Sequence, residues 1–154
     1  MELHGAPVVG SIGKRPDGKD APFWDGLLEG QLKIQRCEKC ASWNWSPTWR
    51  CGQCGSWDLN WEEVERRGIV YSWIRTWKAF SPQLADIVPF VTVLVELPQA
   101  NNRRLLGMLV GPEEGLRIGA PVEGVIQAPG PLTNNLAILR WRLAEGATSA
   151  ERAA

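Results

Sequence analysis

Four cysteines constrain this chain more than any other feature. They fall in two pairs, CEKC at 37–40 and CGQC at 51–54, with ten residues between the pairs. Two residues between cysteines form a tight knuckle that points both sulfurs at one centre. The intervening segment, WNWSPTWR and its flanks, forms a hairpin that brings the knuckles together. Cys37, Cys40, Cys51 and Cys54 then supply the four thiolates of a tetrahedral zinc site. Gly52 and Gly55 are expected to give the knuckles their backbone freedom. A rubredoxin-type iron ion takes the same ligands, and the spacing alone does not choose between the two metals. Two disulfides would need an oxidising compartment. A thioredoxin-like pair would need a βαβ context that the surrounding sequence lacks. Four cysteines leave no open position for water, so the ion is expected to be structural, its binding coupled to the folding of a module too small to have its own core.

The rest of the composition narrows the function. The chain has 154 residues, 44% hydrophobic and 22% charged, as in soluble globular proteins. No apolar run approaches the roughly 18 residues of a membrane span. The first residues lack the basic start and apolar centre of a signal peptide, which leads us to expect a cytoplasmic protein. Lys plus Arg equals Asp plus Glu at 17 each, so the surplus of cations that drives general nucleic-acid binding is absent. The single histidine, His4, argues against a histidine-based triad or a histidine-rich metal site. Nine tryptophans against one tyrosine and three phenylalanines form an unusual aromatic set.

Periodicity gives the elements. Residues 1–20 are rich in Gly, Pro and charge and read as a flexible N-terminal tail. A short helix is expected from Asp20, a candidate cap, to Gly30, with Pro22 in its first turn. Phe23, Trp24, Leu27 and Leu28 would share one face, packed either on the chain's own core or on a second subunit. Residues 21–65 make up this helix and the ribbon, with strand patterns at 31–36 and 57–65. Residues 66–144 show five strand patterns, at 68–77, 89–98, 103–111, 119–129 and 136–143, with no long helix. Five such strands suit a small closed barrel such as an OB-fold. Trp57 and Trp61 lie on one strand face and are expected to bury against that barrel. Residues 145–154 read as a disordered C-terminal tail.

Taken in order, PFWDGLLEGQL, RCEKC, CGQCGSWDLNW, GIVYSW and LVGPEEGLRIGAPVE resemble the acyl-CoA-associated zinc-ribbon/OB-fold family, long catalogued as a domain of unknown function. The resemblance runs from about Pro22 to Gln127. It implies a mainly β chain with a short N-terminal helix, a rubredoxin-like zinc ribbon and a C-terminal five-stranded OB-fold barrel. It also implies a non-catalytic auxiliary subunit of an acyl-CoA-processing complex. The partner would be a thiolase-like enzyme that makes or breaks C–C bonds, typically in a heterotetramer with two copies of each chain. A hot-dog-fold enoyl-CoA hydratase is the alternative partner. The OB-fold would help hold the CoA thioester, and the partner would carry the nucleophile. The chain departs from the family in the tryptophans of its cysteine hairpin.

Candidate binding residues lie in three places. The segment 75–90 combines Arg75 and Lys78 with Trp77, Phe80 and Phe90: cations for CoA phosphates and rings for adenine. Its competing reading is a lid over the barrel mouth. Phe23, Trp24, Trp43, Trp45 and Trp49 are candidates for a partner interface or a small ribbon core. Arg103 and Arg104 read as exposed hairpin charge or as a phosphate contact. Glu113 and Glu114 read as solvated. No residue is assigned a catalytic role. A single-stranded nucleic-acid module is a further alternative, favoured by the aromatics and disfavoured by the neutral charge.

Overall fold

The structure, a computed structural model, describes residues 13–145. Most of the two expected tails, and His4 with them, lie outside these residues. Residues 13–20 form a series of turns tied to the rest of the chain. Arg15 Nη1 donates to Pro47 O at 3.1 Å, and the Arg15 amide donates to Asp20 Oδ1 at 2.8 Å.

Helix α1 spans Ala21–Leu28. Asp20 precedes it without capping it through its side chain. Its carboxylate instead accepts from the Trp24 indole at 2.9 Å, which fixes that ring against the helix start. Gly30 takes a left-handed φ of 78°, and the Gln31 amide reaches back to Gly26 O at 2.7 Å, so the chain reverses into the first strand. Phe23 and Leu27 are buried as their spacing predicts, but Leu28 is exposed.

Strands β1 (Leu32–Cys37), β2 (Trp43–Asn44) and β3 (Leu59–Val64) form an antiparallel sheet in the order β2-β1-β3. Leu32 and Ile34 of β1 turn inward beside Phe23, Leu27 and Val64. Gln35 is also fully buried and behaves as an extra strand residue. Its amide donates to Thr48 O and accepts from Thr48 N, both at 3.0 Å, which pins the far side of the cysteine hairpin to β1.

Strands β4 (Arg67–Thr76), β5 (Phe90–Leu97), β6 (Arg103–Met108), β7 (Pro121–Gln127) and β8 (Ile138–Leu143) form an antiparallel sheet in the order β6-β5-β4-β7-β8. Val91, Val93, Val95 and Leu97 alternate inward along β5. The sheet curls until its edges meet. Leu109 pairs in parallel with Trp141, and the Val110 amide donates to Trp141 O at 2.7 Å. Trp141 fills the interior at 0% exposure. Gly107 makes room for it, since a Cβ there would lie 2.7 Å from the indole.

The chain is therefore mainly β, with one short helix, a cysteine ribbon and a five-stranded OB-like sheet. Helix, ribbon and barrel share one continuous apolar cluster. The helix face thus packs on the chain's own core. Only Glu65 and Arg66 separate β3 from β4. The Gln99 amide spans that connection, donating to Glu65 O and Arg67 O at 2.8 Å each.

One irregularity shapes the surface. The β4–β5 register shifts between Val70 and Ser72, leaving Tyr71 in a bulge. Beyond it Trp73 and Arg75 pair with Val93 and Val91 at the end of the sheet. The segment after β4 folds back so that Leu84, Phe90 and Met108 form a second small cluster with Ile87 and Val88.

Candidate metal centre and exposed aromatic surface

The two knuckles are built alike. The Ala41 amide donates to Cys37 O and the Gly55 amide to Cys51 O, both at 2.9 Å. The Cys37 amide donates to Ser42 O at 2.9 Å, and the Cys51 amide to Ser56 O at 2.8 Å. The residue after each second cysteine is left-handed, with φ 59° at Ala41 and 73° at Gly55. Gly55 thus supplies the freedom expected of it. Gly52 has no positive φ, and its amide instead donates to Asn44 Oδ1 at 3.0 Å.

The four sulfurs converge with all ligand atoms within 4.8 Å of one another. Cys37–Cys54 and Cys40–Cys51 are each 3.6 Å apart. A tetrahedron with Zn–S bonds of about 2.3 Å has edges of roughly 3.8 Å, so the cluster fits a zinc ion. Cys37 and Cys51 are buried, Cys40 and Cys54 exposed. Ser42 Oγ lies 3.0 Å from Cys40 Sγ and 3.1 Å from Cys51 Sγ. The Ser42 hydroxyl, followed by the backbone N–H of Cys54, holds the Cys51 thiol down to about 5, so this ligand is a thiolate at neutral pH.

Ala41 sits where an L-residue is strained. Glycine there removes the Cβ clash of the left-handed region, which costs roughly 1–2 kcal/mol for other residues, less its own loss of chain entropy. Ala41→Gly is therefore expected to raise the unfolding free energy of the zinc-loaded protein by about 1 kcal/mol, measured by urea titration. A fall would show that the knuckle conformation is different.

The aromatic residues divide by place. Phe23, Trp24 and Trp45 form one cluster, with ring centroids 5.1 Å apart for Phe23–Trp24 and 4.9 Å for Phe23–Trp45. They line an apolar cavity of about 620 Å³ together with Phe80, Phe90 and Met108. Trp43 is partly buried under Arg36, whose guanidinium lies 5.0 Å above its ring. Trp49 is half exposed, donates to Asp17 at 3.2 Å and carries Lys19 over its ring at 4.3 Å. Trp57, expected to bury with Trp61, is instead 67% exposed. It precedes β3, and Arg50 of the second knuckle stacks on it at 5.1 Å. Trp61 does pack against the core.

The segment 75–90 does not present its five candidate residues as one site. Arg75 pairs with Glu113 and lies 5.7 Å from the rings of both Trp73 and Trp77. Trp77 is 69% exposed, and Lys78 is exposed beside it. Phe80 is exposed at the cavity, and Phe90 is buried among Leu84 and Met108. Tyr71, Trp73, Ile74, Leu106 and Ile118 add exposed apolar surface that strand alternation did not reveal. The bulge at Tyr71 reverses the alternation of β4, so Ile74, opposite Thr92, faces out, and Trp73 stands opposite Val93 at the open end of the sheet.

Every exposed tryptophan and tyrosine among the described residues carries a cation: Trp49, Trp57, Tyr71, Trp73 and Trp77. Proteins in general show such pairs about once per 75 residues. The pairing is therefore a property of this surface.

Comparisons by sequence and by structure place the chain among known proteins. Residues 24–59 match the rubredoxin-like zinc ribbon domain of ChsH2, and residues 61–127 match its C-terminal OB-fold domain. A probable enoyl-CoA hydratase alpha subunit of Thermomonospora curvata is 36% identical over 106 residues, which cover 68% of this chain and 32% of that one. The chain thus spans about a third of the length of that relative. Among solved structures, an Ltp2–ChsH2(DUF35) aldolase superposes with a TM-score of 0.71 at 29% identity, covering 88% of this chain and 98% of the other. A Sulfolobus solfataricus protein of unknown function from the DUF35 family gives 0.54 at 19% identity over 84% and 86%, a likeness of fold alone.

Proposed function

Because the chain belongs to the ChsH2 family of zinc-ribbon and OB-fold proteins, we propose that it is a non-catalytic subunit of a complex that acts on acyl-CoA thioesters. Its partner is a thiolase-like enzyme that makes or breaks a C–C bond, in an assembly with two copies of each chain. The observation that carries this reading is the set of five exposed tryptophan and tyrosine residues spread over ribbon and barrel. Tryptophan and tyrosine are the residues that anchor protein interfaces, where they account for a disproportionate share of the binding energy. The likeness to an aldolase that contains a ChsH2 DUF35 chain supports the C–C bond class. The metal supports the surface by fixing the hairpin that bears Trp43, Trp45 and Trp49. The end of β4, with Arg75, Trp77 and Lys78, is the part we assign to the CoA thioester. Phe80 and Phe90 line the apolar cavity instead, apart from these three residues.

The name of the Thermomonospora curvata relative favours a second reading, in which the partner is an enoyl-CoA hydratase. One experiment separates the two. The chain is co-expressed with thiolase-like and hydratase-like proteins of its own source, and each purified complex is assayed for C–C cleavage and for hydration of acyl-CoA substrates. A stable complex that cleaves the C–C bond, with neither chain active alone, is the expected result. A complex active only in hydration would transfer the assignment to the second reading, and no complex with either would defeat both. Within the complex, Trp73→Ser with Trp77→Ser should weaken assembly by about 2 kcal/mol or more, some thirtyfold in Kd, as measured by calorimetry. Trp77 is 69% exposed, so Trp77→Ser alone should leave the melting temperature of the free subunit unchanged, which separates lost assembly from lost stability.

A further inference from the structure

Arg103 and Arg104 are neighbours on β6, and they meet different fates. Arg104 is fully engaged: its Nε donates to Glu96 at 2.9 Å and its guanidinium stacks 3.4 Å from the Tyr71 ring centroid. Arg103 pairs with Leu97, whose side chain is wholly buried, so its stem enters the end of the barrel nearest the ribbon. Its Nε is buried and has no hydrogen-bond partner among the described residues. A buried, unmatched donor on a permanent cation is rare in native proteins and points to a group that binds there.

The surroundings of Arg103 are polar. A groove of about 350 Å³ runs between the cysteine hairpin and β6, lined by Ser42, Asn44, Ser46, Gln53 and Arg103 among others. Among the described residues no carboxylate lines it. Asn44 forms a fixed wall: its Oδ1 accepts from the Gly52 amide at 3.0 Å, and its Nδ2 donates to Ser42 O at 3.2 Å. The Ser46 hydroxyl and the Gln53 amide are neutral donors on the same groove.

We propose that Arg103 and these neutral donors form a binding site for a phosphate group at the seam between the zinc hairpin and the barrel. A carboxylate has two oxygens, which the guanidinium fork alone would satisfy. A phosphate monoester presents three terminal oxygens and free phosphate four, and the groove offers Arg103, Ser46 and Gln53 to share them. The group can come from free inorganic phosphate or from a nucleotide-bearing thioester carrier such as CoA. The site is separate from the end of β4, and it does not depend on the identity of the protein partner.

The test uses the zinc-loaded full chain, labelled with ¹⁵N, and follows the Arg103 Nε–Hε resonance and the Gly52 and Gln53 amides. Inorganic phosphate, CoA and sodium chloride are added in separate titrations at matched ionic strength. Phosphate is expected to give a saturable shift at all three positions, and chloride none. Arg103→Gln should abolish saturation at Gly52 and Gln53, whereas Arg104→Gln should leave it intact. Saturation by CoA at about a tenth of the phosphate concentration or less assigns the site to the thioester carrier, and equal concentrations assign it to free phosphate. Either result supports the site. It is overturned if chloride moves the same resonances as far, or if Arg103→Gln leaves the phosphate response unchanged. No partner protein enters the measurement, so its failure would leave the assembly reading standing.

Discussion

Replacing Cys51 by serine is expected to empty the metal centre and unfold the ribbon while the barrel strands persist. Cys51 is buried, touches Cys40, Ser42 and Asn44, and has its thiol held down to about 5 by the Ser42 hydroxyl. Structural zinc contributes on the order of 10 kcal/mol or more to folding in small zinc modules, far above what the short β2 pairing can supply. The measurement is metal content by mass spectrometry beside amide hydrogen exchange. Zinc should fall from about one ion per chain to a small fraction, since three thiolates hold it far less tightly than four. Amides of Asn44, Thr48 and Gly52 should lose protection, and those of Val93 and Val95 should keep theirs. Binding to the partner should fall with the ribbon. A variant that retained stoichiometric metal, or a fully assembled complex without metal, would show that the centre has been given too much weight.

Removing the indole of Trp141 is the second large expected effect, and it acts on the barrel instead. The side chain is 0% exposed at the point where the sheet edges close, and truncation to alanine leaves a void that close-packed neighbours cannot fill. Burial losses of this kind cost about 3–5 kcal/mol, a large part of the roughly 5–15 kcal/mol that stabilises a typical domain. Thermal unfolding should shift down by roughly 10–25 °C. Gly107 gives an internal control. Gly107→Ala alone drives a methyl into the indole and should destabilise by about 1–3 kcal/mol, yet it should be nearly neutral on the Trp141→Ala background. Additive effects in that double-mutant cycle would mean that the two residues do not meet as described.

Much of the architecture was legible because it rests on local rules. The knuckle spacing gave the metal ligands. Period-two alternation gave β5 as Val91, Val93, Val95 and Leu97, and its ends fell within a residue of those expected. The short helix ended at a glycine that does adopt the left-handed conformation. What escaped the sequence depended on contacts between distant segments. Gln35 reads as a solvent-facing polar residue, and only the return of Thr48 to β1 makes it a buried strand partner. Trp57 lies two residues from Leu59, but it precedes the strand and meets Arg50 across the knuckle. The bulge at Tyr71 breaks the alternation of β4 and so conceals which of its side chains face out. Arg103 and Arg104 look identical on paper, and only the register with Leu97 and Glu96 sets them on opposite sides of the sheet. The five candidates at 75–90 share a segment, but the fold of that segment divides them between an exposed tip and a buried base.

The amide of Gln99 has a mechanical consequence. It grips the backbone on both sides of the two-residue connection between ribbon and barrel, in the manner of a strut across a hinge. The shared apolar core closes the same joint from the inside. A partner that touches both halves therefore meets a single rigid surface at one angle, and it need not spend binding energy on selecting that angle from many. The distance between the metal hairpin and the aromatic end of β4 is thus set in the free chain, which in the proposed complex would serve as a ruler for its partner.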